Sequence, residues 1–92
     1  MTDDLIERVV QVPDGVGLHA RPAALLVQAA AATGKRVSIG RPDSEPVDAR
    51  SILAVLSLDV RGGERIVLRT DGDDEVLATL ERVIAGAESS GG

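Results

Sequence analysis

The 92-residue sequence carries ten basic and fifteen acidic side chains, a net charge of −5, and no Cys, Phe, Trp or Tyr. That balance excludes general nucleic-acid binding, which needs a basic surface to displace counterions, and leaves room only for a local basic patch. It also excludes disulfides, thiolate metal sites and aromatic stacking platforms, so the core of one domain spanning residues 1–92 must be built from Leu, Ile, Val and Ala.

The acidic start Met1-Thr2-Asp3-Asp4 lacks the apolar run of a secretory leader, and no stretch reaches the length of a membrane span. A soluble, cytoplasmic chain without membrane insertion is expected. From Leu5 to Val12, β-branched residues interleaved with Glu7, Arg8 and Gln11 predict a strand with one wet face, with Ile6, Val10 and Val12 inward. Pro13-Asp14-Gly15-Val16-Gly17 ends it with turn residues and two glycines able to take positive φ.

The alanine-rich run Ala20–Thr33 predicts a helix, with Leu25, Leu26, Ala29 and Ala30 at helical spacing and Gly34 as its stop. So many small residues imply a helix lying close against a sheet. Arg36–Gly40 reads as a second strand with Val37 and Ile39 inward, and the prolines of Arg41–Pro46 confine further pairing to a short edge piece at Val47-Asp48. Ser51–Leu58 is dense in apolar residues, and Ser51 is placed to cap a short helix with its hydroxyl.

Gly62-Gly63 marks a turn, and Arg65–Thr70 alternates as the last strand with Ile66 and Leu68 on one face. After the Asp71–Asp74 turn, Val76, Leu77, Leu80, Val83 and Ile84 trace one stripe of a helix from about Asp74 to about Ala87. Residues 88–92 should fray, with a disordered tail over about 89–92. Four strands with helices able to cover only one face make an α+β open-faced sandwich.

Chemistry concentrates where the loop meets the first helix, at Gly17-Leu18-His19-Ala20-Arg21-Pro22-Ala23. The first turn of a helix leaves N–H groups unpaired and favours negative charge. His19, the only histidine, can serve as a nucleophile near neutral pH. Arg21 adds a forked, permanent cation, and Pro22 presets a helical φ where it has no N–H to waste. Phosphoryl transfer asks mostly for this kind of positioning and charge stabilisation. For Ile52, Leu53 and Leu56, some core packing is expected, because so short a helix must bury something, and the remainder would form an exposed patch. Arg41, Arg61, Arg65 and Arg69 read as ordinary surface charges, and Ser57 as structural.

The seven-residue stretch resembles the active-site signature of the HPr family, the histidine-containing phosphocarriers of the phosphoenolpyruvate-dependent sugar phosphotransferase system. A second segment, Arg50-Ser51-Ile52-Leu53-Ala54-Val55-Leu56-Ser57-Leu58, resembles the piece that carries a regulatory serine and a short helix in that family. Length, element order and the closing Asp-Gly turn and helix agree as well.

The resemblance implies a four-stranded antiparallel sheet with three helices on one face. It implies that His19 takes a phosphoryl group on Nδ1 from enzyme I and passes it to EIIA domains of sugar permeases. Arg21 would stabilise that group, Pro22 would shape the helix start, and Ser51 would be the target of HPr kinase/phosphorylase. Ala20, Arg50, Ile52, Leu53 and Leu56 would meet partners. The chain would be a monomeric relay rather than a turnover enzyme, with no cofactor and no metal of its own. The same residues would serve a regulatory carrier, nitrogen-related or feeding a dihydroxyacetone kinase, and Ser51 alone would serve an interaction module acting as corepressor with a transcriptional regulator. The sequence departs from the family pattern in lacking phenylalanine, in Ala54, where glycine or lysine is common, and in the prolines at 42 and 46.

Overall fold

The computed structural model describes residues 5–15, 17–18 and 20–86. Seven elements follow the expected order: strand β1 (Ile6–Gln11), helix α1 (Ala20–Ala32), strands β2 (Val37–Gly40) and β3 (Val47–Asp48), helix α2 (Ile52–Ser57), strand β4 (Arg65–Thr70) and helix α3 (Asp74–Gly86). The expected fraying at residues 88–92 lies outside the described residues.

The strands form one antiparallel sheet in the order β1-β4-β2-β3, so β4, the last strand in sequence, sits between the first two. Alternation along β4 is strict: Ile66, Leu68 and Thr70 are buried, and the residues between them are not. Val10, Val12, Val37 and Ile39 join them on the same face, where the helices close an all-aliphatic core with Leu26, Leu77, Leu80 and Ile84. Thr70 is the buried polar residue of this core, and its hydroxyl is satisfied twice: it donates to the Arg36 carbonyl at 2.8 Å and accepts from the Gly72 amide at 3.0 Å.

Arg8 occupies an inward position on the edge strand β1, where burial alternates along Ile6–Gln11 and a charged residue takes one of the inward places. Its guanidinium reaches across to α3, bonding Glu81 and Asp74 at 2.9 Å each. The stem covers apolar surface while the charge pairs at the rim.

Helix α1 packs beside the other two helices. Its close neighbours are α3 and α2, while α3 is the helix that comes nearest β1 and β4. Ala23 and Ala30 are fully buried on this helix. Gly34 ends α1 with φ +71°, as a stop residue should.

The short helix α2 is anchored differently from expectation. Val55 supplies its fully buried side chain, whereas Ile52 and Leu56 keep 37% of their surface exposed and Leu53 keeps 77%. With six residues the helix has little more than one face to commit, and the register of Val55 takes it. Ser51 caps it as expected: its Oγ accepts from the Ala54 amide at 3.2 Å, a bond worth about 1 kcal/mol in typical helices.

Candidate functional site

His19 and Val16 lie outside the described residues, and the structure describes the frame around them. Leu18, immediately before His19, is 1% exposed, and its amide donates to the Val60 carbonyl at 2.8 Å. Ala23 is fully buried one turn later. The chain is thus pinned on both sides of residue 19. Gly15 and Gly17 take φ +82° and +69° in the approach, the left-handed conformation in which a side chain would be strained.

Helix α1 begins at Ala20. Pro22, its third residue, has no N–H to offer, which leaves the amides of Ala20 and Arg21 as first-turn donors without an intrahelical acceptor. Arg21 is exposed and makes no hydrogen bond or ion pair with the described residues. A cation in that setting is available to an incoming anion. No acidic residue stands in the first turn to compete for it.

Residues that sequence reading passed over hold this frame in place. The 60–64 turn grips the chain before His19: Val12 donates to the Glu64 carbonyl at 2.9 Å, Gly63 donates to the Val12 carbonyl at 2.8 Å, and Val60 takes the Leu18 amide. Gly62 is in backbone contact with the Pro13–Gly15 loop, since a Cβ built on it would lie 2.4 Å from the Gly15 nitrogen. The pair of glycines signals a turn in the sequence, but nothing in it signals what the turn touches.

Arg41, expected as an ordinary surface charge, is tied down by its neighbours. Its Nε and Nη2 donate to Glu64 at 2.7 and 3.1 Å, and Nη2 also donates to the Asp59 carbonyl at 3.2 Å. Asp59 holds φ +51° just past α2, where a short polar residue tolerates the left-handed turn. The Arg41 bonds and the Arg61 backbone amide hold the Glu64 carboxyl at a pKa of about 2, against an ordinary value of 4.5. A depressed carboxylate stabilises the fold above its unfolded pKa and loses that contribution as pH falls toward the folded one. Wild-type stability is therefore expected to lose this share between about pH 5 and pH 2. In Glu64→Gln that share is missing throughout, so the two urea midpoints should converge over the same window. A gap that stays constant with pH would show the pair to be unlinked to folding.

Beyond α1, the packing of α2 against it sets a second surface on the helical layer. Ile52, Leu53 and Leu56 are its exposed apolar residues, Ser51 caps it half-buried, and Arg50 precedes it, exposed and bonded through Nε to Asp48 at 3.2 Å. Asp48 sits below the ordinary carboxylate range because the Arg50 backbone N–H, and then its guanidinium, bond it. Ser57 donates its hydroxyl to the Ala54 carbonyl within α2 at 2.7 Å. Among the described residues there is no cluster of acidic or histidine side chains able to hold a metal ion, and no helix long and apolar enough to cross a membrane.

A sheet with three helices on one face, and an exposed arginine at a helix start that a buried leucine and alanine flank, define a class of small α+β open-faced sandwich proteins. The family model described as the PTS HPr component phosphorylation site matches residues 6–86. The chain belongs to the HPr family of phosphocarrier proteins of the phosphotransferase system. It is 48% identical over 83 residues to the phosphocarrier protein HPr of Streptomyces coelicolor, covering 88% of this chain and 89% of that protein. It is 40% identical to the HPr-like protein Crh of Halalkalibacterium halodurans, over 91% of this chain and 98% of the relative. The crystal structure of HPr from Bacillus anthracis superposes with a TM-score of 0.81 at 36% identity, covering 89% of this chain and 99% of that one. The four-stranded antiparallel sheet with three helices is the fold of these proteins.

Proposed function

We propose that this chain accepts a phosphoryl group on Nδ1 of His19 from enzyme I charged by phosphoenolpyruvate, and donates it to EIIA domains of sugar permeases. It acts as a relay, not as a turnover enzyme. The observation that carries this reading is Arg21 at the start of α1, exposed and with its side chain unpartnered among the described residues, in a stretch pinned by Leu18 and Ala23. In each transfer the P–N bond of the donor breaks as the bond to His19 forms, and the reverse occurs at the acceptor. Charge on the phosphoryl oxygens meets the Arg21 guanidinium and the first-turn amides, while Pro22 keeps the turn in helical geometry.

Docking falls to the layer of helices. Leu53, with its flanks Ile52 and Leu56, offers an exposed apolar centre, and Ala20 and Arg50 complete the surface in this reading; an apolar patch with a charged rim suits several partners of modest affinity. Ser51 is the regulatory position. A phosphate there would replace a capping hydroxyl with about two negative charges and oppose acidic partner surfaces.

The test is direct. The protein, incubated with enzyme I, phosphoenolpyruvate and magnesium, should gain the mass of one phosphoryl group, acid-labile and base-stable, on the peptide that contains His19. No gain with a competent enzyme I, or a label on another peptide, would remove the proposal.

A further inference from the structure

The face of the sheet that the helices leave uncovered carries a second concentration of arginines. Register sets Glu7, Arg69, Ser38 and Asp48 side by side in one row across β1, β4, β2 and β3. Successive side chains on a strand point to opposite faces, and Val37, Ile39, Leu68 and Thr70 are the buried ones, so this row stands on the open face. Ser38 is its one short member. A notch of about 240 Å³ opens over it, walled by Arg36, Arg50, Arg69 and Asp48 with Leu5 at its apolar edge.

The charges in the notch are only partly spent. Arg69 reaches Glu7 through Nε at 2.8 Å, and Arg50 reaches Asp48 through Nε at 3.2 Å. Both bonds use one edge of the guanidinium and leave its terminal nitrogens without partners among the described residues. The Arg36 side chain makes no bond there at all; only its backbone is engaged, with Asp71 and Thr70. Among the lining residues three guanidinium groups stand over one carboxylate, Asp48, with Glu7 on Arg69 and Asp71 on the Arg36 backbone at the margin, so the notch itself is lined mainly by cations on a chain whose net charge is −5.

That arrangement selects its ligand by chemistry. One forked guanidinium saturates a carboxylate, whereas three converging on one concavity match a dianion with several oxygens. Small-molecule sites commonly measure roughly 300–1,000 Å³, and a smaller volume calls for a compact ligand. We propose that the notch over Ser38 is a binding site for a compact phosphate monoester, its dianionic head held by Arg36, Arg50 and Arg69 and its short organic body against Leu5. The site uses neither Arg21 nor the apolar face of α2; it shares Arg50 with the docking surface, but Arg36, Ser38 and Arg69 belong to the notch alone, so tests on those three stand or fall apart from the phosphocarrier reading.

The experiment is an amide chemical-shift titration of the full chain with glycerol 3-phosphate at ionic strength balanced with sodium chloride, with sodium acetate as the monoanion control. Saturable shifts are expected at Ser38, Asp48 and Arg69. Arg36→Gln and Arg69→Gln should each weaken the apparent Kd by about tenfold or more, the loss expected of one charge-assisted contact. Ser38→Leu, which fills the notch, should abolish saturation. Arg36→Gln keeps the test sound, because an exposed side chain without partners can be changed without unfolding the chain. Drift that never saturates, an equal response to acetate, or an unchanged Kd in Arg36→Gln and Arg69→Gln would overturn the site.

Discussion

Arg21→Ala is expected to fold as the wild type does and to accept the phosphoryl group about 10²–10³-fold more slowly, the usual cost of deleting one donor aimed at developing negative charge. Nothing else in the fold depends on this side chain: it is exposed and unpartnered among the described residues, so its loss should move stability by less than about 0.5 kcal/mol. The remaining activity has a source, since the first-turn amides of Ala20 and residue 21 belong to the backbone and survive the change. Arg21→Lys should recover part of the rate, because an ammonium restores the charge but not the planar fork. Rapid-quench single turnovers with charged enzyme I separate the alternatives. A role in chemistry lowers the limiting rate, whereas a role in docking raises only the enzyme I concentration needed to reach half of it. Wild-type rates in Arg21→Ala would show the cation to be idle.

What the sequence makes legible, and what it hides, divides along one physical line. Periodicity reports which face of an element is buried. The stripe of α3 is read correctly, with Leu77, Leu80 and Ile84 at its buried centre and Val76 and Val83 half-buried at its flanks. The strand Arg65–Thr70 is read to the residue, and the Ser51 cap is found from its hydroxyl and the apolar run behind it. Periodicity does not report neighbours. The order β1-β4-β2-β3 places Ser38 between Arg69 and Asp48, and only that register makes the notch on the open face. Arg41 and Glu64 are 23 positions apart, and no local pattern links them.

The same limit governs the site itself. The stretch from Gly17 to Ala23 is recognisable because helix-start chemistry is local: a histidine, an arginine and a proline fall within four residues. In α2 the competition among four aliphatic side chains for one buried position is decided by how the helix lies on α1 and β3, and Val55 wins it. That outcome leaves Leu53 on the surface, where a partner can reach it. The support beneath Leu18 comes from Val60 and from the turn that follows, some 40 residues downstream.

That support leads to the second large effect. Gly62→Ala is expected to lower stability by about 1–3 kcal/mol, the range for adding a methyl group to a packed site, and to slow phosphoryl acceptance as well. The new Cβ would meet only backbone: the Gly15 nitrogen at 2.4 Å, the Pro13 carbonyl oxygen at 2.8 Å and the Asp14 carbonyl carbon at 3.1 Å. No rotamer relieves such contacts, so the Pro13–Gly15 loop has to move, and that loop delivers the chain to His19. Misplacement of a reacting group by about 1 Å can cost on the order of 10²-fold in rate. Gly63→Ala is the control. Its Cβ would meet only the Asp14 carboxylate, which can swing away, and its cost is the strain of φ +88°, about 1–3 kcal/mol, without displacement of the loop. Both variants should therefore unfold at lower urea, but only Gly62→Ala should shift the amide resonances of residues 14–18 and slow transfer from enzyme I. Equal transfer rates in the two variants would mean that the loop before His19 does not rest on Gly62.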